Sequence, residues 1–497
     1  MGKEQKCISL LLLFLSLSFY STGKVATYNY PDGIPLSGDY QVWVNEVPQT
    51  VIQVPVPASY TAFSMEGKVQ VKIKAAHDVK WAEIHPVSSG IKPILENGFI
   101  TFEISRPCKL SLELNGRISS PLFIFANPPE RKPDRNDPNV IYFEAGKIHT
   151  PGVIVPKSGQ HVFIEGGAWV KGAISAREVC DVKVSGYGIM DGTQNSRMGA
   201  DEMAAIFTKD NGYKSEGKYQ RFIEFYDSKN LTIEDVILHN STTWQVVPIN
   251  CERVAIRNLK LISDNPSDDG IDVVRSRDVH IEDCFIRVKD DCIAVKAHLD
   301  YPDDCIVDGV LAEKCVIWNA AWGNGLEIGF ELESSEVKNI IFRDIDVLHV
   351  ESGAVFSIHN SDKATVRNIL YEDIRIEDAS HKLIDLAIFR SKYCTDGSSD
   401  EEYLMKNMLY GTWDNVLKVP AGEKEKHAKF RGRIENIRFK DIQVLAGRFP
   451  FSLFCGYDDN HQVKNVTIEN LRIYGRPVSA PEELKLRTEY AEQVIFK

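Results

Sequence analysis

The sequence predicts an all-β protein in which a right-handed parallel β-helix follows a small β-sandwich. Three observations carry this prediction. A short apolar phrase recurs along the second part of the chain, segments of alternating apolar and polar residues fill the region before it, and a proline-rich, charged stretch lies between the two. The predicted organisation is a leader at 1–23, a sandwich domain at 24–130 and a β-helix domain at 131–497.

The first 23 residues have the features of a secretory signal peptide. Lys3 and Lys6 precede an apolar run from Ile8 to Phe19, and small residues follow at 21–23. The run is too short to span a bilayer comfortably. We therefore expect an exported protein, secreted or periplasmic, with no membrane as its partner.

The charge balance limits the possible partners of the chain. Its 497 residues carry a formal net charge of −12, with a sequence pI near 5.6. Nucleic acids and anionic membranes both require basic surfaces, so neither is expected as a partner. An uncharged ligand, or an anionic one with local basic contacts, remains open.

The ten cysteines include no Cys-x-x-Cys pair, so the sequence indicates neither a zinc site nor a disulfide framework. Cys284, Cys292 and Cys315 alternate with apolar residues, which is typical of small side chains buried in strands. The alternative is a bridge between Cys292 and Cys305.

Alternating segments in the first part of the chain predict the sandwich. Residues 40–44, 69–73 and 110–114 place apolar side chains at every second position, as strands with one wet face do. Residues 127–138 contain four prolines among charged side chains, which suits neither a helix nor a central strand. This composition predicts the domain boundary near residue 130.

The recurring phrase is apolar-x-apolar-x-Asp/Asn-apolar. Each repeat alone cannot bury its apolar side, whereas stacked repeats share one core along the axis. The Asp or Asn is expected to turn the chain between strands, because it tolerates unusual backbone angles. The crossover rule predicts the right-handed form, and the leucine spacing of a leucine-rich horseshoe is missing. The Asp or Asn of each repeat is Asp235, Asn258, Asp283, Asp344, Asp373, Asp441 or Asn470.

Two aspartate clusters point to chemistry. The first is residues 267–272 (SDDGID) and the second is residues 290–292 (DDC). Asp269 and Asp290 are 21 residues apart, which matches about one turn of a β-helix, so three carboxylates would share one patch. Hydrolysis of a glycosidic bond needs such a group, with one carboxyl protonated and another ionised.

Residues 380–429 interrupt the repeats and are rich in charged and aromatic side chains. Long insertions in a solenoid often collect on the binding face, so this segment is expected either to form a wall of the cleft or to contact the other domain. Its aromatic residues include Tyr393, Tyr403, Tyr410 and Trp413.

Four passages of the predicted β-helix carry motifs, at residues 186–192 (GYGIMDG), 240–244 (NSTTW), 267–272 and 290–292. Together they cover roughly residues 160 to 345 in register and are more specific jointly than singly. They resemble the family 28 glycoside hydrolases, the polygalacturonases and their relatives.

The resemblance implies a role for each carboxylate. Asp290 would be the general acid, while Asp269 and Asp291 would hold and activate the attacking water. It also implies an inverting hydrolase without metal or cofactor, for which an acid–base separation of about 6.5–9.5 Å is expected. Repulsion from Asp269 and Asp291 would help Asp290 to keep its proton.

The chain also departs from the family pattern. The family's Gly-His-Gly reads Gly-Asn-Gly at 323–325, and an additional carboxylate follows at Glu327. The Arg-x-Lys that binds a uronic acid is missing from residues 356–363 (FSIHNSDK), and burying an unpaired uronate would be costly. The candidate substrate-binding residues are therefore Asn324, Glu327, His359, Asn360 and Lys363.

The expected partner is a polysaccharide or oligosaccharide, either pectin-like or an α-glucan. The α-glucan alternative comes from the leading sandwich, which resembles that of the family 49 dextranases and isopullulanases. Two other functions stay open. Clustered carboxylates could bind calcium in a polysaccharide lyase, or the β-helix could bind glycans without catalysis, with the aspartates serving only as turn residues.

Overall fold

The computed structural model describes residues 23–193, 221–297, 306–398, 416–448 and 450–497. Almost all regular structure in these residues is β-strand. The helical segments in them are one short α-helix, α1 (Lys424–Ala428), and two 3-10 turns, Val87–Ser89 and Pro481–Leu484. The predicted signal peptide lies outside the described residues except for Gly23.

Two sheets of the leading domain form a sandwich; the first is mixed, because β5 and β11 pair in parallel, and the second is antiparallel. One sheet has the order β1-β5-β11-β10-β7, with β4 beside β5, and the other has the order β3-β2-β6-β9-β8. The predicted alternating segments are confirmed as β2, β6 and β10, and their apolar sides face each other in one core. The strands are β1 (Lys24–Thr27), β2 (Tyr40–Val44), β3 (Val47–Gln49), β4 (Ile52–Val54), β5 (Ala58–Glu66), β6 (Val69–Ala75), β7 (Ala82–His85), β8 (Ile94–Glu96), β9 (Phe99–Ile104), β10 (Cys108–Leu114) and β11 (Arg117–Asn127).

The rest of the described chain is a right-handed parallel β-helix, as predicted. Its first strand begins at Val140, so the division at residue 130 stays a prediction within the connection that follows β11. The strands are β12 (Val140–Phe143), β13 (Ile148–Ile154), β14 (His161–Ile164), β15 (Trp169–Arg177), β16 (Lys183–Ser185), β17 (Ile189–Asp191), β18 (Ile223–Tyr226), β19 (Lys229–Glu234), β20 (Ile237–His239), β21 (Val246–Ile249), β22 (Glu252–Arg257), β23 (Lys260–Ile262), β24 (Ile271–Val274), β25 (Arg277–Glu282), β26 (Phe285–Val288), β27 (Ile293–Lys296), β28 (Val307–Glu313), β29 (Val316–Asn319), β30 (Leu326–Phe330), β31 (Glu336–Val350), β32 (Ala354–Asn360), β33 (Thr365–Ile376), β34 (Lys382–Ile388), β35 (Arg433–Val444), β36 (Phe451–Cys455), β37 (Val463–Glu469), β38 (Arg472–Ile473), β39 (Arg476–Pro477), β40 (Leu486–Glu489) and β41 (Ala491–Phe496).

Strands of successive turns pair in parallel and give the β-helix three faces. Face A comprises β18, β21, β24, β27, β30, β32, β34, β36 and β40. Face B comprises β19, β22, β25, β28, the first part of β31, β33, β35, β37 and β41, whereas face C comprises β17, β20, β23, β26, β29 and the end of β31. Apolar side chains from all three faces fill one continuous core.

The repeated Asp or Asn turns the chain as predicted. All seven have a positive φ, between 49° at Asn470 and 76° at Asp235. Asn and Asp accept this left-handed conformation better than most residues, because their short polar side chains bond locally. Neighbouring turns are also linked through these side chains, since Asn258 donates to Asp235 at 2.7 Å and Asn470 to Asp441 at 2.6 Å.

Cys284, Cys292 and Cys315 are buried in the core of the β-helix, as predicted, but each stands one residue before a strand and not inside it. Their small apolar character is what this position requires. Cys305, the alternative partner of Cys292, lies outside the described residues.

The sandwich covers the outer side of face C. Phe123 and Phe125 of β11 pack against Phe285 with ring centroids 4.9 and 5.2 Å apart, and Phe123 also meets Trp318 edge-on at 6.0 Å. Trp169 is buried in the same cluster. This apolar contact therefore occupies the outer side of face C.

A buried ionic cluster also joins the two domains. His349 of the β-helix lies 3.0 Å from Glu113 of the sandwich and 3.5 Å from Asp378. His85 of the sandwich pairs with Glu377 of the β-helix at 2.5 Å. Burial opposes a charge on His349, but the hydrogen bonds to Asp378 and Glu113 outweigh it and raise the pKa of His349 to about 9.

This cluster predicts a stability that falls in alkaline solution. A histidine with a raised pKa stabilises the fold fully below its unfolded value of about 6.5 and loses that contribution as the pH rises through about 9. Relative to a His349→Gln variant, which does not titrate, the wild type should lose up to about 3 kcal/mol of unfolding free energy between pH 6.5 and 9.5. Urea unfolding of both proteins measures this difference, and parallel pH curves would contradict the prediction.

Candidate active site

The aspartates of the two clusters meet at the start of face A, as the one-turn spacing predicts. Asp269 and Asp291 each stand two residues before a strand, β24 and β27, and the amide of Gly270 donates to the carbonyl of Asp291 at 2.8 Å. Together with Asp290 they offer one carboxylate oxygen each within 4.8 Å of one another. We call these three residues the aspartate trio.

The trio is tighter than the sequence argument expects. Its oxygens approach within 4.8 Å, whereas the expected separation of an inverting acid and base is about 6.5–9.5 Å. The physical reason is stacking, because neighbouring parallel strands lie only about 4.8 Å apart. The expected wide separation is therefore wrong for the nearest oxygens.

The members of the trio differ in burial. Asp269 and Asp291 are 2% and 4% exposed, and Asp290 is half-buried. Burial, followed by the neighbouring Asp272 and Asp290, raises the pKa of Asp269 well above its usual value. Burial, followed by Glu327 and Asp290, does the same to the pKa of Asp291. Protons are therefore retained in this cluster at pH values where exposed aspartates are ionised.

Asp268 holds the loop that carries Asp290. One of its carboxylate oxygens accepts the backbone amides of Lys289 at 2.9 Å and Asp290 at 3.0 Å, and the other accepts the amide of Asn265 at 2.8 Å. Burial raises the pKa of Asp268 to about 6. The first aspartate of the doublet thus positions the loop, while the second, Asp269, belongs to the trio.

Two buried asparagines complete this support. Asn324 donates to one oxygen of Asp291 from its backbone at 2.7 Å and from its side chain at 3.1 Å, and it accepts the amide of Ala354 at 2.9 Å. Asn319 donates to the carbonyls of Asp290 at 2.7 Å and Trp322 at 2.6 Å. Asn324, which the sequence predicts as a sugar ligand, therefore supports Asp291.

A lysine that the sequence reasoning missed lies among the carboxylates. The ammonium of Lys296 is 3.7 Å from Asp269, 4.0 Å from Asp291 and 3.9 Å from Asp272. It is also 3.5 Å from Glu331. Burial disfavours its charge, but these acids outweigh burial and raise the pKa of Lys296. A bound calcium ion would have to share the trio with this ammonium.

Trp244 lies against the lysine. Its ring centroid is 4.8 Å from the Lys296 ammonium and 4.8 Å from the guanidinium of Arg221. Trp244 is partly exposed, so it is neither a core residue nor a free surface ring. It shields the charged groups from water on one side.

Farther along face A, the predicted ligands Glu327 and His359 form a second buried cluster. His359 lies 3.1 Å from Glu327 through Nδ1 and 3.1 Å from Asp385 through Nε2. Ser357 donates to Glu327, and Lys382 pairs with Asp385. Burial opposes the charge of His359, but Glu327 and Asp385 raise its pKa to about 10. Each charge of this cluster has an opposite partner.

The structure does not bring the other two predicted ligands into the site. Asn360 is fully buried at the end of β32, where its amide donates to the carbonyl of Ala364 at 2.7 Å. Lys363 is exposed in the turn that follows β32. Their substrate roles stay predictions.

The predicted insertion begins later than residue 380, because β34 continues the ladder of face A through Ile388. After it, the exposed Tyr393 approaches Phe330 at 6.0 Å, and Phe330 stacks on His359 at 5.1 Å. This part of the segment lies beside the candidate site. Tyr403, Tyr410 and Trp413 lie outside the described residues.

The missed residues share a recognisable pattern. Lys296 closes an otherwise apolar strand, and Asp385 interrupts a largely apolar strand in the same way. A charged residue inside a buried strand requires a partner. That pattern could have identified them from the sequence, although it would not have named their partners.

Comparison with known proteins agrees with this site. The family described as "Glycosyl hydrolases family 28" matches residues 163–410, about half of the chain and all of the trio. A polygalacturonase of Chamaecyparis obtusa is 24% identical over 249 residues, which are 48% of this chain and 44% of that protein. The chain thus spans less than half the length of the first curated relatives it matches.

Solved structures share the fold. An exopolygalacturonase from Thermotoga maritima superposes with a TM-score of 0.53 at 19% identity, covering 72% of this chain and 83% of its own. Dex49A from Penicillium minioluteum also gives 0.53, at 13% identity, and covers 95% of this chain and 96% of its own. With the family match across the aspartate trio, the chain belongs to glycosyl hydrolases family 28.

Proposed function

We propose that this protein hydrolyses glycosidic bonds of a polysaccharide, with Asp290 as the general acid and Asp269 and Asp291 as the base pair. The observation that carries the proposal is the aspartate trio, three carboxylates within 4.8 Å on the outer side of face A. The most exposed member, Asp290, can reach a leaving oxygen, whereas Asp269 and Asp291 are buried. The leader-like segment at 1–23 supports export of the enzyme.

The geometry suits activation of water by two carboxylates. A water that donates two hydrogen bonds of about 2.8 Å at a tetrahedral angle spans about 4.6 Å. The oxygens of Asp269 and Asp291 lie within 4.8 Å, so one water can bridge them. A water held by two acceptors is oriented, and it can lose its proton to either.

Inversion is our proposal for the stereochemistry, because the bridging water attacks directly. NMR of the first product should therefore show the anomer opposite to that of the cleaved bond. A retained anomer would instead identify Asp269 or Asp291 as a nucleophile. The short distance from these carboxylates to Asp290 would agree with that mechanism.

For the substrate we propose a neutral sugar beside β30, β32 and β34. His359, Lys382 and Lys296 are each already paired with carboxylates there. A uronate carboxylate would have to displace one of these internal partners or remain unpaired at a cost. A hydroxyl group needs no such exchange.

Matched polymers test this substrate class. Galacturonan and rhamnogalacturonan should be cleaved more slowly than the same polymers after chemical reduction of their carboxyl groups to primary alcohols, and dextran is included as a neutral α-glucan. We expect at least a ~10-fold preference for the neutral member of a pair, about the effect of 1.4 kcal/mol. Preference for the charged polymer would refute the neutral sugar while leaving the hydrolase intact. Unsaturated products that require calcium would indicate a lyase instead.

A further inference from the structure

Lys296 occupies the electrostatic centre of the candidate site. It is the last residue of β27 and pairs across the ladder with Val274, so its side chain points outward between the turns that carry Asp269 and Asp291. Only 4% of it is exposed. Four carboxylates surround its ammonium at 3.5–4.0 Å.

The distances show that the ammonium of Lys296 is a counter-charge shared by several carboxylates. An ammonium has three donors, so it cannot make short hydrogen bonds to four carboxylates at once. It lies instead at similar distances from Asp269, Asp272 and Asp291, 3.7, 3.9 and 4.0 Å. The ring of Trp244 at 4.8 Å excludes water from one side and strengthens these interactions.

We propose that Lys296 is a positioning residue for hydrolysis: its ammonium holds Asp269 and Asp291 side by side and favours the ionised form that accepts a proton from the attacking water. This inference rests on the proposed function of the trio. Without the ammonium, buried like charges would repel each other, and the pair would separate or take up a proton. The base would then be unavailable at the pH where the acid still carries its proton.

The kinetic test replaces Lys296 by Met, which keeps an unbranched side chain one atom shorter and removes the charge. We expect kcat to fall by ~30-fold or more with little change in KM, and the acidic limb of the kcat/KM profile to move up by about one pH unit. In Lys296→Ala, n-propylamine has the missing atoms and should restore activity in a concentration-dependent way. Lys314→Met, an exposed lysine paired with Glu282 on face B, is the matched control.

A second measurement does not depend on activity. Lys296→Met should melt at a lower temperature than the wild type, and more so at pH 7.5 than at pH 5, because protonation relieves the unpaired acids. Adding Asp269→Asn should raise the melting temperature of Lys296→Met at pH 7.5 but not that of the wild type.

The two measurements separate the possible failures. In one outcome the wild type cleaves no glycan while Asp269→Asn still raises the melting temperature of Lys296→Met. That result would refute the proposed hydrolase but would support the pairing of Lys296 with the carboxylates. An active wild type with an unchanged pH profile in the folded Lys296→Met variant, or without amine rescue of Lys296→Ala, would overturn the role of Lys296.

Discussion

Replacing Asp290 by Asn should reduce hydrolysis by ~10³-fold, within the range of general acid catalysis. Asn keeps the shape of the side chain but cannot deliver a proton to the leaving oxygen. The loop should survive, because the bond from the Asp290 amide to Asp268 at 3.0 Å uses the backbone and not the lost carboxyl. Initial rates on the cleaved polysaccharide measure the effect.

The dependence on the leaving group assigns the role. An aryl glycoside with a very acidic phenol needs little protonation, so Asp290→Asn should lose much less activity on it than on the polysaccharide. Asp269→Asn removes a base and should slow both substrates alike. Asp308→Asn, a partly exposed carboxylate on face B, is the control for the substitution itself. Equal losses for Asp290→Asn on both substrates would remove Asp290 from the role of acid.

The repeats predict most of the fold, and the two aspartate clusters predict the trio. The Asp or Asn of each repeat marks a turn, and its spacing gives the period, so the meeting of the two aspartate clusters follows from counting residues. The count pairs Asp269 with Asp290, whereas the ladder pairs Ile271 with Ile293 and so places Asp269 beside Asp291. Counting also explains why the expected acid–base separation is wrong. Side chains in adjacent turns are as close as strands are, whereas the expected separation is the general range for inverting enzymes.

The partners inside the site required the structure. Lys296 meets Glu331 because a turn of the chain returns to it, and their distance depends on how each side chain leaves its strand. His359 meets Asp385 diagonally, since the ladder places Ala387 opposite it. Diagonal contacts depend on twist and rotamers, which residue spacing does not encode. The bond from the buried Asn360 to the carbonyl of Ala364 is likewise not given by residue spacing.

The second large effect is expected at Gly323, because the peptide that joins Asp290 and Asp291 packs against this residue. Its φ is +57°, and a methyl group there would lie 2.3 Å from the carbonyl carbon of Asp290 and 2.4 Å from the nitrogen of Asp291. The contacted atoms are backbone and cannot rotate away. Gly323→Ala must therefore displace the peptide that carries the acid and one base, and a shift of about 1 Å costs ~100-fold in rate.

Strain and displacement can be told apart with a second glycine. Gly475 has a φ of +77°, and a methyl group added there would meet nothing within 4 Å, so Gly475→Ala should cost only the left-handed backbone, about 1–2 kcal/mol, with full activity. Gly323→Ala should show that stability loss and also lose kcat. If both variants kept the activity of the wild type, the need for glycine at residue 323 and for the exact position of the Asp290–Asp291 peptide would be refuted.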